Sequence, residues 1–244
     1  MKESDTDQEF PMRLNKFLAH QGYATRRSAD TLIEKKRVFV NGKLATLGQK
    51  VEKTDLVEIK DFTTEHFRYI IYYKPRGVIT HSPEDDEVDI LTRIKKDHSI
   101  TGLFPVGRLD KDSEGLILLT NDGRVTERML NPNEGHEREY EVTVDKRVTQ
   151  SFLNRLAKGV SIEGYQTKPA TTKMLPGNES GFVITLTEGK KHQVRRMCAA
   201  LGYQVRSLKR TRMLSFELKS LKSGALYELK PREAQAFQRS IGLH

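Results

Sequence analysis

The sequence predicts an α+β protein, with a small N-terminal module and a larger domain built on a mixed, mostly antiparallel β-sheet flanked by helices. Two observations predict this class. Short apolar runs and alternating stretches, both typical of strands, recur along most of the 244 residues. A few stretches with apolar residues at helical spacing interrupt them, which favours an α+β arrangement. A short polar segment has no apolar period, and we place a linker there, at residues 62–66.

The composition predicts neither a membrane span nor a disulfide. No window approaches the roughly 18 consecutive apolar residues of a transmembrane helix, and the polar, acidic N-terminus lacks the apolar centre of a signal peptide. We expect residues 1–11 to form a loose tail. The single cysteine, Cys198, excludes an internal disulfide and fits a reducing cytoplasm.

The net charge of +9 predicts a polyanionic partner, most often a nucleic acid. The seven histidines show no metal-ligand spacing with Cys198, so we expect no metal site. The glycine motifs of nucleotide-binding loops are missing as well, so we expect no cofactor.

The N-terminal module is predicted from local signals. Thr25 precedes a helical apolar pattern and suits the N-cap position. The Asn41-Gly42 pair lies between two short apolar runs, which is a strong hairpin signal. In order, the sequence predicts helices at 14–18 and 29–33, a hairpin at 38–45 and a strand at 55–59.

Positive charge is concentrated in this module. Between residues 12 and 60, eleven lysines and arginines stand against five aspartates and glutamates. Such a surface would bind phosphates with a strong salt dependence. An ordinary solvated basic face is the alternative interpretation.

The run from Arg13 to Lys43 resembles an S4-type RNA-binding domain. The matching features are R-L-x-K, G-x-x-x-R-R and V-x-V-N-G-K. The resemblance implies that the module, residues 12–61, binds structured RNA through its helices. The residues to which it points are Arg26, Arg27, Lys35, Lys36, Arg37 and Lys43.

The larger domain, residues 67–244, is predicted from the same periodicities. Residues 138–145 alternate strictly, as a half-buried strand does. Pro132 would end one helix, and Pro231 suits the first position of another. Strands are predicted at 67–73, 116–120, 138–145, 171–175, 181–187 and 205–213, with helices around 90–94, 125–130, 152–156, 194–201 and 231–237.

A glycine-bounded, charge-rich loop at residues 107–115 leads straight into the apolar run 116–120. It carries Arg108, Asp110 and Asp112. Functional side chains concentrate on loops that a rigid strand holds in place. The alternative is a solvated turn whose polar side chains bond the local backbone.

Four stretches together resemble the pseudouridine synthases of the RsuA/RluB/RluE/RluF-type branch. HEREYEVTVDK and LKRTRM lean towards the RluF-type members, and the Lys74-Pro-Arg-Gly77 turn resembles the opening of the same catalytic core. With the N-terminal module, the resemblance spans nearly the whole chain. The four stretches are GRLDKDSEGLILLTNDG, REYEVTVD, EGKKHQVRRM and VRSLKRTRM.

The resemblance implies an enzyme that turns a uridine within RNA into its carbon-linked isomer, without a cofactor. Asp110 would be the nucleophile, and Tyr140 would stack on the target base and assist proton transfer. Arg195 would lie against the aspartate and keep it ionised. Packed core for Tyr140 and a solvated basic edge for Arg195 are the alternatives. Asp112 is expected to be a turn residue and Cys198 a core residue.

The target base must leave the RNA stack before any chemistry. By resemblance, Arg108 would help to hold the opened stack, with a structural ion pair as the alternative. Leu208 would help to form the pocket wall. Arg210 and Arg212 would contact RNA phosphate.

The resemblance also predicts the substrate class. Its branch modifies mostly ribosomal RNA, and the RluF-type features favour the large subunit (23S) RNA, with a tRNA as a further candidate. The main rival is a non-catalytic RNA-binding or ribosome-assembly factor with a degenerate synthase domain, but Asp110, Tyr140 and Arg195 occur together, which favours the enzyme. An α+β enzyme that does not act on nucleic acid is a third interpretation, which no motif supports. We expect a cytoplasmic monomer without membrane attachment.

Overall fold

The computed structural model describes most of the chain. The predicted linker at 62–66, the predicted cap Thr25 and residues 1–9 of the predicted tail lie outside the described residues. Within the described part, no helix has the length and apolar character needed to cross a bilayer. The described residues are 10–21, 23–24, 26–60, 67–81, 87–131 and 134–243.

Among its described residues, the N-terminal module contains two helices and five short strands. Three strands form one antiparallel sheet in the order β3-β2-β5, and β1 pairs with β4. In chain order the elements are β1 (Met12–Arg13), α1 (Leu14–His20), α2 (Arg26–Glu34), β2 (Val38–Val40), β3 (Lys43–Leu44), β4 (Lys50–Val51) and β5 (Val57–Ile59).

A compact apolar cluster holds this module together. Leu14 and Leu18 of α1 and Ile33 of α2 pack with Val38 of β2. The predicted hairpin is confirmed: Asn41 and Gly42 both have positive φ, at 51° and 74°, as a two-residue turn between right-handedly twisted strands requires. The apolar period therefore selects the helices, and the Asn-Gly pair fixes the β2–β3 connection.

The larger domain supplies eleven strands and five helices among the described residues. In chain order these are β6 (Tyr69–Lys74), α3 (Ile90–His98), β7 (Phe104–Val106), β8 (Glu114–Thr120), α4 (Gly123–Leu130), β9 (Arg138–Val144), α5 (Gln150–Ala157), β10 (Ser161–Ile162), β11 (Tyr165–Gln166), β12 (Thr171–Met174), β13 (Gly181–Leu186), α6 (Gln193–Ala200), β14 (Val205–Met213), β15 (Phe216–Glu217), β16 (Leu226–Glu228) and α7 (Pro231–Ser240).

One sheet of nine strands organises this domain. Its central path runs β12-β13-β9-β14-β8-β6-β16, with β7 paired to β8 and β15 to β14. Among the strands described, β14 and β8 run parallel, and every other neighbouring pair of this sheet is antiparallel. The predicted fold class, α+β with a mixed and mostly antiparallel sheet, is confirmed.

Three apolar clusters pack against this sheet, and two of them lie on opposite faces of β8. In β8, Leu116 and Leu118 face a cluster with α4 and α7, whereas Ile117 and Leu119 face a second cluster with α3. This strand is therefore buried on both faces, which explains its continuous apolar sequence. A third cluster, beneath α5 and α6, includes Phe182 of β13. The rigid strand β8 carries the charged loop at residues 107–115 on its N-terminal end.

The N-terminal module rests on α4 of the larger domain. A Cβ added at Gly123 would lie 3.0 Å from the main-chain oxygen of Ala24 and 3.2 Å from that of Ala19. At the same contact, His20 Nδ1 lies 3.1 Å from Glu127 Oε2. A glycine at the start of α4 thus permits a close backbone approach between the two parts.

Candidate active site

The loop at residues 107–115 is held in one conformation by its own backbone and by Thr80. Asp110 O accepts a hydrogen bond from Ser113 N at 3.0 Å. The Thr80 hydroxyl donates to Leu109 O at 2.7 Å and accepts from Leu109 N at 3.1 Å. Gly115 has φ 111°, and a Cβ there would lie 2.3 Å from Arg210 O. The loop can therefore approach β14 only with glycine at this position.

This loop forms one wall of a cavity of about 390 Å³. The opposite walls come from β9, β14 and the segment that leads into α6. The cavity is large enough for a nucleoside and combines apolar with charged side chains. Among its lining residues are Arg108, Asp110, Arg138, Tyr140, Leu208, Arg210, Glu188, Lys190 and His192.

Asp110 lies beside His192 in the cavity. Its Oδ1 lies 3.4 Å from His192 Nε2, and the two side chains are 36% and 48% exposed. His192 has φ 53°, a left-handed conformation, at the N-cap position of α6. Asp110 therefore presents a carboxylate that a substrate can reach, with an imidazole beside it.

Tyr140 lies in the middle of β9, directly opposite Arg210 of β14. It is half-buried, lines the cavity and packs against the clusters on both sides of the site. Its ring therefore contacts the core and also lines the cavity, and its stacking on a target base stays a prediction. Leu208, two residues before Arg210, is buried in the cavity wall.

Arg195 reaches the charged loop but not its aspartate. Its Nη2 donates to Asp112 O at 3.1 Å and to Ser113 Oγ at 3.3 Å, and its Nη1 donates to Val205 O at 3.4 Å. Within the described residues it forms no ion pair with Asp110, in contrast to the expected contact. Its position near the start of α6 aims the guanidinium at the back of the loop, where it ties α6, β14 and the loop together.

Lys74 is a buried cation beneath the same loop. Its Nζ donates to Pro75 O at 3.0 Å and to Val78 O at 2.6 Å. Burial lowers the pKa of Lys74 to about 8, and the negative charges of Asp110 and Glu114 oppose this shift. The ammonium group therefore fixes the turn after β6 and adds positive charge near Asp110.

Glu188 braces the wall opposite the loop. It accepts hydrogen bonds from the Tyr165 hydroxyl, from Lys168 N at 3.0 Å and from Gln193 Nε2 at 2.7 Å. Burial acts to raise the pKa of Glu188, but these bonds outweigh it and hold the pKa below its ordinary value. The carboxylate thereby fixes the segment that positions His192.

Arg210 and Arg212, the two phosphate contacts predicted on β14, are both at least partly buried. Arg210 is only 3% exposed and donates from Nε to Leu116 O at 2.6 Å. Arg212 is half-buried and pairs with Glu137 at 2.8 Å. Arg210 lies opposite Tyr140, and a register shift lies between Arg210 and Arg212. The contact of Arg210 and Arg212 with RNA phosphate stays a prediction, and the burial of Arg210 counts against it at that residue.

Two family models match this chain. The model of the RNA pseudouridylate synthase family matches residues 68–200, and the S4 domain model matches residues 12–57. The chain belongs to the RNA pseudouridylate synthase family.

Individual relatives agree over almost the whole length. The chain is 39% identical to the dual-specificity RNA pseudouridine synthase RluF of Escherichia coli K12 over 91% of this chain and 77% of that protein. It is 36% identical to ribosomal large subunit pseudouridine synthase B of Bacillus subtilis, over 91% and 94%. A crystal structure of a pseudouridylate synthase superposes with a TM-score of 0.67 at 30% identity, covering 92% of this chain and 98% of that one. The chain is therefore an RNA pseudouridine synthase with an S4 domain, as the motifs predicted.

The basic residues predicted in the S4 domain have unequal positions. Arg26, Lys35, Lys36 and Lys43 are exposed, whereas Arg37 donates from Nε and Nη2 to Lys60 O, at 3.2 and 3.0 Å. The side chain of Arg27 lies outside the described residues. The exposed members are each accessible to a phosphate.

Sequence reasoning missed several residues of the site. His192, Glu188 and Arg138 line the cavity, and Lys74 lies beneath it, but none was assigned a role. All four lie within the stretches that carry the family resemblance, and that position was the signal that could have identified them. By contrast, Cys198 is buried in the core as expected, and burial raises the pKa of its thiol to about 12.

No metal cluster is found in the part of the chain that the structure describes: no three His, Cys, Asp or Glu side chains converge there. The chemistry available at the cavity is that of a carboxylate, a phenol, an imidazole and several cations. This set is suited to nucleophilic attack and proton transfer on a neutral base.

Proposed function

We propose that this synthase isomerises a specific uridine of ribosomal RNA, with 23S RNA of the large subunit as the favoured substrate and a tRNA as a second candidate. The observation that carries the proposal is the accessible Asp110 carboxylate, held by a rigid glycine-bounded loop in a nucleoside-sized cavity beside Tyr140. The names of the relatives support the RNA class, since one is a large-subunit enzyme and another is called dual-specificity.

In this proposal Asp110 is the nucleophile. It attacks the base ring, or it attacks or deprotonates at the sugar. The base then detaches, rotates and rejoins the sugar through carbon. Tyr140 stacks on the base and assists removal of the proton at the new bond. Arg195 contributes by positioning the loop, because its guanidinium bonds Asp112 O and Ser113 Oγ.

Arg108 is the proposed base-flipping residue. It is exposed at the cavity, and it forms no hydrogen bond or ion pair with another residue that the structure describes. A guanidinium plane in this position is available to stack on bases and bond phosphate. Leu208 supplies apolar wall for the flipped base.

The S4 domain would hold the RNA near the cavity. Its exposed cations, Arg26, Lys35, Lys36 and Lys43, suit phosphate contacts, and its position on α4 gives it a fixed relation to the catalytic domain. Domain boundaries at 12–61 and 67–244 belong to this proposal, as do a monomeric state and a cytoplasmic location. The family models, which match 12–57 and 68–200, support the boundaries.

The experiment is pseudouridine mapping of ribosomal and transfer RNA from cells with and without the protein. We expect one uridine site to lose its modification, and to regain it with the wild-type chain but not with Asp110→Asn. The variant's folding and RNA binding are measured in parallel. Restoration by Asp110→Asn would remove Asp110 from the nucleophile role, and a lost site in tRNA alone would exclude ribosomal RNA.

A binding-factor role is the outcome if no site changes. In that case crosslinking of the protein in cells would identify the RNA that it holds. The joint placement of Asp110 and Tyr140 at one cavity favours catalysis over this reading.

A further inference from the structure

Arg210 has a buried donor with no partner. The side chain is 3% exposed, and its Nε donates to Leu116 O at 2.6 Å. Its Nη2 is buried and has no hydrogen-bond partner among the described residues. A buried guanidinium donor that stays unpaired is costly, because the group has lost its water without replacement. Because Arg210 also lines the cavity, a ligand bound there is a candidate for the missing acceptor.

The surroundings of Arg210 place that ligand at the base-binding end of the cavity. Arg210 lies directly opposite Tyr140 on the neighbouring strand, and side chains of opposite residues share one face of a sheet. Leu208, two residues earlier on β14, also lines the cavity. A base that stacks on Tyr140 would therefore meet Arg210 at its edge.

Arg138 and Arg210 form no direct ion pair with a carboxylate among the described residues. Ion pairs on these strands join Lys209 to Glu141 and Arg212 to Glu137, and within the described residues none involves Arg138 or Arg210. Burial lowers the pKa of Arg138, and the charge of Arg210 adds to this shift. The two strands thus bring two cations to the cavity wall that no described carboxylate contacts directly.

We propose that Arg210 is a catalytic residue that donates from Nη2 to a carbonyl oxygen of the flipped uracil and stabilises the negative charge that the ring acquires. This inference rests on the proposed function. When the bond between C1′ and N1 breaks, its electron pair stays on the base and delocalises onto the carbonyl oxygens. When Asp110 instead attacks the ring first, the displaced electron pair also reaches a carbonyl oxygen. A fixed guanidinium at that oxygen lowers the barrier on either route.

A phosphate is the other oxygen ligand of the nucleotide, but its natural partners lie elsewhere. Lys168, Lys190 and Lys191 line the cavity and are exposed, where a hydrated phosphate can reach them. Arg210 is enclosed, so a phosphate would have to shed its water to meet it. The flat, neutral edge of uracil loses far less hydration.

The test is single-turnover conversion of RNA by Arg210→Gln and Arg210→Lys. We expect the glutamine variant to lose about 10²- to 10³-fold in rate with its RNA dissociation constant within about twofold of wild type, and the lysine variant to recover part of the loss. Arg206→Gln is the matched control, because Arg206 lies exposed on the same strand and belongs to no proposed site. It should react at the wild-type rate.

A second substrate separates charge stabilisation from a structural role. RNA with 5-fluorouridine at the target carries an electron-withdrawing group that stabilises a ring anion by itself. Consumption of this nucleotide should therefore suffer less from Arg210→Gln than consumption of uridine does. Equal defects on both substrates, together with a lowered melting temperature, would overturn the proposal in favour of a structural arginine.

Two further results would overturn the proposal for Arg210. An unchanged rate in Arg210→Gln would overturn the proposal, and so would weaker RNA binding with a smaller salt dependence and a normal rate, which would indicate a phosphate contact. The wild-type chain is assayed on 23S RNA and, separately, on tRNA, both lacking the modification. Conversion of the tRNA but not of the 23S RNA would refute the 23S substrate alone, and the Arg210 comparison would then use the tRNA.

Discussion

The S4 domain and the catalytic cavity both carry lysines and arginines, but several of those in the S4 domain are exposed, whereas two of those at the cavity are enclosed. In the S4 domain, Arg26 and Lys35 are exposed on helix α2 and its end. At the cavity, Arg210 and Lys74 are enclosed between strands and bonded to main-chain oxygens. Exposed cations attract a polyanion over a distance of several ångströms and are screened by salt, whereas enclosed ones act at one point and are screened little. We therefore expect RNA binding and chemistry to depend on charge in different ways within one chain.

This difference sets what a substitution can reveal. Removing an exposed cation should change affinity and its salt dependence, with little effect on the fold. Removing or crowding an enclosed one should change rate or stability, with little effect on affinity. Four predictions test this division, in order of expected effect.

Gly115→Ala should damage the enclosed region most. The new Cβ would lie 2.3 Å from Arg210 O, at a φ of 111° that side chains rarely adopt. We expect the free energy of unfolding to fall by at least about 3 kcal/mol in chemical denaturation. Gly102→Ala is the control, since Gly102 has φ 77° but no atom within 4 Å, and it should cost only about 1 kcal/mol. Equal losses would show that the close approach to β14 does not constrain the loop.

Arg195→Leu should separate rate from affinity. Without its bonds to Asp112 O and Ser113 Oγ, the loop that carries Asp110 is free to shift, and we expect about a 10²-fold lower single-turnover rate. RNA affinity in filter binding should stay within about threefold. Arg196→Leu removes a neighbouring guanidinium that faces Glu163 instead, so its rate should stay close to wild type. A loss confined to affinity in Arg195→Leu would make this arginine a phosphate contact.

Lys74 should make stability depend on pH. Its pKa is lowered to about 8 in the folded chain, from an unfolded value of 10.5. Between these values the unfolded state binds the extra proton, so stability should rise as the pH goes from 8 to 10.5, by roughly 2 kcal/mol. The measurement is the unfolding free energy of wild type minus that of Lys74→Met at each pH. A difference that stays constant, or falls, over this range would contradict a depressed pKa.

The exposed cations should give the smallest effect. Replacing Arg26 and Lys35 by glutamine should weaken RNA binding about tenfold at physiological salt and reduce the slope of log K against log salt by about 1.5. The rate at saturating RNA should not change. The double replacement of Lys50 and Lys53 by glutamine removes the same charge from exposed positions with no assigned role. If both pairs weaken binding equally, net charge rather than this surface determines affinity.

Local signals in the sequence were sufficient for much of the fold. The Asn41-Gly42 hairpin depends on two adjacent residues, and the helix of residues 231–240 begins at a proline. The strand β8 is predictable from its continuous apolar run, which occurs because both of its faces are buried. Such features depend on neighbours in sequence, so periodicity and turn chemistry predict them well.

The missed parts depend on partners that are distant in sequence. β10, β11 and β15 have two residues each, too few to show a period, and β7 contains Pro105, which argues against a strand. At the site, the motifs brought Asp110, Tyr140 and Leu208 to one cavity as expected. The burial of Arg210 depends on its pairing opposite Tyr140, and the approach of His192 to Asp110 depends on a left-handed backbone, and neither is visible in composition or spacing.

The strand order also governs how the protein emerges from the ribosome. β6 lies between β8 and β16, and Glu228 of β16 pairs opposite Ile70 of β6. The catalytic sheet therefore cannot complete this edge until residue 228 has been synthesised, and pairing between strands so far apart in sequence is slow. The β2–β3–β5 sheet of the S4 domain needs nothing beyond residue 59. A nascent chain accordingly displays its basic surface well before it can have an active site.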